Sequence, residues 1–98
     1  MTFDEFNTSV ESDASPVENL SLPLQALWWD RRGDWHQAHE VSQQSNSQEG
    51  DRVHAYLHRK EGDEGNASYW YSRAGESKVA TSLDEEWEML VKRYLAKS

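Results

Sequence analysis

Two Gly-Asp pairs, Gly33-Asp34 and Gly62-Asp63, interrupt a chain whose apolar residues otherwise recur at helical spacing. Glycine releases a helix because it tolerates a left-handed backbone, and aspartate caps the next helix by accepting from its first amides. Each pair is followed four residues on by alanine, Ala38 or Ala67, whose small side chain lets two helices approach. The pairs lie 29 residues apart, which marks two helix–turn–helix junctions in one short chain.

The stripes between these breaks run i, i+3, i+4, i+7. Leu24, Leu27, Trp28 and the Arg31 stem form one, behind Pro23 in a first turn. Trp35, Ala38, His39 and Ser42 form the second, with Asp34 as N-cap. Val53, Tyr56, Leu57 and the Lys60 stem form the third, with a capping box predicted from Asn46 and Glu49. Ala67, Trp70, Tyr71 and Ala74 form the fourth, from Asp63 to Gly75. Leu83, Trp87, Leu90, Val91 and Tyr94 form the fifth, with Ser82 and Glu85 as a capping box. No useful stretch alternates with period two. The spacing predicts an all-α, compact bundle of about five short helices in antiparallel hairpins.

Charge divides the 98 residues unevenly. Residues 1–20 hold Asp4, Glu5, Glu11, Asp13 and Glu18 and no base, leaving a net −3 of the total −8 for the remainder. Such a polar, acidic stretch buries too little apolar surface to offset its ordering entropy. Residues 1–19 are therefore expected to be a disordered tail, with Phe3, Phe6 and Val10 offering one transient turn or a docking motif. Residues 20–98 form the expected single domain. It has no basic patch to neutralise phosphates, so nucleic acid is not an expected partner. There is no apolar run of membrane length and no secretory signal. The absence of cysteine excludes disulfides and thiolate metal sites and fits a cytosolic protein.

The segment from Gly62 to Ala74 resembles the second half of a tetratricopeptide-type repeat, in which alanine, an aromatic and alanine recur at i, i+4 and i+7, here Ala67, Tyr71 and Ala74. The earlier copy departs from that pattern, with Ser42 and Ser45 at the later positions. The run from Gly33 to Val41, with its Trp35, Ala38, His39 and Glu40, also resembles a signature of small uncharacterised bacterial helical proteins. The runs His54–Asp63 and Asn66–Gly75 extend that likeness over residues 24–95. The resemblance implies a helical fold and supplies no catalytic residue.

All four histidines fall on the second and third predicted helices, as His36-x-x-His39 and His54-x-x-x-His58. The i, i+4 pair shares a face with Glu61, so a metal centre of His39, His54, His58 and Glu61 is sterically open, with a divalent ion as its cofactor. The order is not that of a zinc protease. The competing reading makes these side chains structural, with no cofactor. Arg59, Lys60 and Arg73 are candidates for a phosphate or carboxylate, and the charged run from His58 to Asp63 otherwise reads as a solvated face. Trp29, Tyr69, Trp70 and Arg73 are candidates for binding a protein partner or a second copy, since spare aromatics beside arginine suit an interface. No nucleophile context or phosphate loop is present. The sequence thus favours a non-enzymatic interaction module, with a metal-binding protein or metal-dependent enzyme as the alternative.

Overall fold

The computed structural model describes residues 1–97, and it is all-helical. Six helices follow in order: α1 (Phe3–Ser12), α2 (Leu22–Arg32), α3 (Trp35–Gln44), α4 (Gln48–Lys60), α5 (Glu64–Arg73) and α6 (Leu83–Lys97). The two Gly-Asp junctions behave as the sequence predicts. Gly33 and Gly62 adopt φ of 96° and 87°, a left-handed conformation that strains any residue with a Cβ. Asp34 accepts from Gln37 N at 3.0 Å and Asp63 from Asn66 N at 3.2 Å. Ser82 and Glu85 exchange both capping-box bonds at the start of α6.

The α3–α4 corner differs from the expected Asn46 cap. Ser47 is the N-cap of α4 and accepts from Gly50 N at 3.1 Å. A Cβ on Gly50 would stand 2.6 Å from the carbonyl oxygen of Ser45, so this tight corner needs a glycine.

The larger departure lies at the N-terminus. Instead of a disordered tail, residues 3–12 form α1, started by a Thr2–Glu5 capping box. Its stripe of Phe3, Phe6 and Val10 closes one side of the bundle. Phe6 is fully buried, and the rings of Phe3 and Phe6 lie 5.8 and 5.9 Å from Trp87. The Trp28 indole donates to Ser9 Oγ at 3.0 Å, and Arg32 donates to the Val10 carbonyl at 2.8 Å. Two aromatics on one face recover the apolar burial that a count of acidic residues hides.

Helix α4 is central and packs against α2, α3, α5 and α6. The main core gathers Leu24, Leu27, Trp28, Val53, Leu57, Trp87, Leu90 and Val91 with the α1 residues. A second, smaller core lies between α4 and α5, built of Ala55, Ala67 and Tyr71 with Trp70 partly buried against it. Among the described residues, the α5 backbone approaches α4 and no other helix.

The charged run at the end of α4 is solvated only in part, with Lys60 and Glu61 exposed and His58 and Arg59 turned inward. Arg59 donates to the fully buried Glu86 of α6 at 2.6 Å. The same carboxylate meets Arg52 Nη1 at 2.7 Å and accepts from the Tyr71 hydroxyl at 2.5 Å. Arg52, itself 1% exposed, also donates to Glu76, which takes a further bond from Arg93. Lys60 and the Tyr56 hydroxyl both donate to the buried Asp30 at 2.8 Å. Arg59 and Lys60 are therefore paired with buried carboxylates, Arg59 largely covered and Lys60 still exposed, while Arg73 is half exposed beside Asp51.

Candidate functional site

Helices α3 and α4 run together from the Ser42–Ser47 corner towards Trp35 and His58, and this hairpin brings three of the four histidines to one place. His39 comes from the α3 face that carries Trp35, and His54 and His58 stand one turn apart on α4. One ring nitrogen from each lies within 4.8 Å of the other two. His36 falls on the exposed side of α3 and stays outside the group.

The rings form a layered cluster between two tryptophans. Trp35 stacks on His39 with centroids 4.9 Å apart. His39 meets His54 edge-on at 4.5 Å, and His54 stacks on Trp70 at 3.9 Å with the planes 10° apart. Trp35 is fixed by its own indole, which donates to the Leu57 carbonyl at 3.0 Å. His58 completes the group, 4.7 Å from His54 and 5.2 Å from His39 between ring centres.

Hydrogen bonds order the nitrogens. The Nε2 atoms of His54 and His58 are 2.9 Å apart, and Nδ1 of His58 is 2.6 Å from Glu61 Oε1. An ionised Glu61 accepts from Nδ1–H, which makes Nε2 of a neutral His58 the acceptor and His54 Nε2–H the donor. Glu61 thus faces away from the three-nitrogen group and orients His58 from behind. A carboxylate behind a ligating histidine is the usual outer support of a metal site. Glu61 and Asp63 also form a second acidic grouping with His58, but Asp63 is occupied in capping α5.

Burial pushes the His54 imidazole down to about 4, and the neighbouring His39, His58 and Arg73 charges oppose its protonation further. Burial also lowers His39, with His58 adding to the effect and Glu61 and Glu40 opposing it. Neutral rings are what a metal ion requires of histidine.

The residues considered for a partner divide. Trp29 is half-buried, edge-on to Trp28 at 5.0 Å, and belongs to the main core. Trp70 is the wall behind His54. Arg73 lies over the Trp70 ring at 4.8 Å and over Tyr69 at 6.0 Å, and Tyr69 is 55% exposed. The Trp70 and Arg73 group therefore adjoins the histidines, a junction that sequence spacing did not reveal because it needs α5 laid against α4. The two groups share a polar cleft of about 260 Å³ lined by Ser42, Gln43, Asp51, His54, Trp70 and Arg73, among others. A larger cleft, about 570 Å³, lies between the starts of α2 and α4 and the end of α6, and no histidine lines it.

Among the described residues no helix is long and apolar enough to cross a membrane. No protein-family model, curated protein or solved structure matches the chain. Function is therefore read from the site itself.

Proposed function

We propose that this is a metal-binding protein whose centre is built from His39, His54 and His58, with Glu61 as the carboxylate that orients His58. The observation that carries the reading is the convergence of three ring nitrogens within 4.8 Å. Two imidazole nitrogens on one tetrahedral ion at about 2.0–2.1 Å stand about 3.3 Å apart. The 2.9 Å between His54 and His58 Nε2 needs only a few tenths of an ångström of opening. The ion takes the place of the proton those two nitrogens share, and His54 stays a neutral ligand by carrying its proton on Nδ1 instead. A set of three imidazoles suits zinc, copper, nickel or cobalt, and it leaves a fourth position for water or a ligand. In this reading α2–α3 and α4–α5 serve as tetratricopeptide-like hairpins that hold the ligands at fixed register.

The test is direct titration of tag-free protein with Zn²⁺ and Co²⁺, followed by elemental analysis. One equivalent is expected, lost in His54→Ala and His58→Ala and kept in His36→Ala. Retention of no metal by the unaltered protein overturns the reading.

A second reading, binding of a protein partner or a second copy, is supported by Tyr69, which stands exposed beside Arg73. Its check is native mass measurement with and without Tyr69→Ala. A monomer with no captured partner counts against it.

A further inference from the structure

We infer that the fourth position of this centre takes a small oxyanion, a carboxylate or a phosphate, held between the metal and Arg73. This rests on the metal reading and adds the class of ligand. The three nitrogens come from uncharged rings, and Glu61 lies behind His58 rather than among them. A divalent ion held so keeps its full double charge, which favours an anion in the remaining position.

The cleft beside the centre fits that anion in three respects. It shares His54 and Trp70 with the centre, so an occupant lies against the same ring that would ligate the metal. It is lined mainly by polar groups, with the amides of Gln43 and Asn46 on the side where α3 ends, while the Ser42 hydroxyl donates to the His39 carbonyl and that of Ser45 is bonded to Ser47. Its one cation is Arg73, whose planar guanidinium is suited to bidentate contact with carboxylate or phosphate. At about 260 Å³ it admits a small molecule and no extended chain.

One carboxylate shares the cleft. Asp51 meets Arg73 Nε at 3.7 Å, longer than a hydrogen bond. An incoming oxyanion competes with Asp51 for the guanidinium. The two residues therefore have opposite expected effects, which a general loss of structure would not imitate.

Cobalt(II)-loaded protein gives the test, because the visible absorption of the ion responds to a change of its fourth ligand. Acetate and inorganic phosphate are titrated separately while the spectrum is followed. Saturable change is expected with at least one, and the tighter of the two identifies the source of the oxyanion. Arg73→Gln is expected to weaken binding about tenfold and Asp51→Asn to tighten it. Both variants are expected to keep the cobalt affinity of the parent. If cobalt binds but neither anion changes the spectrum, or neither variant changes anion affinity, the inference is overturned and the metal centre stands. If cobalt does not bind, the metal reading falls and this inference falls with it.

Discussion

His54 sits against Trp70 and between two other imidazoles, a place that disfavours its charged form and lowers it from an ordinary 6.5 to about 4. The unfolded chain takes up a proton there near pH 6.5, while the folded chain does not until about pH 4. The unfolded state binds more protons in that interval, so stability is fully present above pH 6.5 and is lost as the pH falls towards 4. The loss from this group alone reaches up to about 3 kcal/mol. Urea unfolding of metal-free protein at pH 7 and pH 4.5 is expected to show it. His54→Gln is expected to flatten the profile over that range. An unchanged slope in that variant would mean the acid sensitivity comes from elsewhere, with His39, lowered in the same direction, the next group to examine.

At the scale of the element, α1 shows how ten residues of unpromising composition become part of a core. Its own helix propensity is modest, and the segment is held by Phe6 and Val10 against Trp87 and Trp28 and by hydrogen bonds from Trp28 and Arg32. Short helices are marginal in water without such packing. Phe6→Ala removes a fully buried ring and is expected to cost about 3–5 kcal/mol. The same variant is expected to expose α1 to proteolysis while the metal affinity of the centre, which α1 does not touch, persists. Equal proteolysis of parent and variant would show that α1 is not docked through Phe6. The α5 helix has the opposite character. It contributes only Ala67 and Tyr71 as fully buried side chains, yet it supplies the tryptophan behind His54.

For the whole molecule, the Glu86 network does what α5 cannot do by apolar packing. Its carboxylate joins α4 through Arg52 and Arg59, and α5 through Tyr71, to α6. A buried ion pair adds little over a well-packed apolar substitute, but removing one partner strands the others. Glu86→Ala leaves Arg59 without a carboxylate and Arg52 with Glu76 alone, and is expected to cost about 3–5 kcal/mol in urea unfolding. A loss below about 1 kcal/mol would mean that Glu76 compensates Arg52 alone. Metal acts on a different seam. The proposed ligands lie on α3 and α4, so binding clamps those helices together. At a free concentration one hundred times the dissociation constant, the gain is about 2.7 kcal/mol. For a domain of this size that is a rise in Tm of at least about 10 °C. Thermal unfolding with and without Zn²⁺ checks it, and the rise is expected to vanish in His58→Ala.

Local information was legible wherever one residue acts on its own helix. The left-handed glycines at 33 and 62, the caps at Asp34, Asp63 and Ser82, and the apolar stripes of α2 to α6 could be read directly, because each depends on neighbours within four positions. The i, i+4 pairing of His54 with His58 was legible for the same reason. Four features were settled only by tertiary packing. Phe6 needed Trp87, 81 residues away in sequence, to make α1 worth ordering. His39 needed the α3–α4 hairpin to bring it to His54. Trp70 needed α5 laid on α4. Arg59, read as surface charge, needed the buried Glu86. The sequence by itself determined the Gly and Asp junctions, the start of α6 and the faces that α2 to α6 bury. Which polar groups meet between those faces was decided by the packing, because burial and charge pairing depend on distances in space that helical periodicity does not encode.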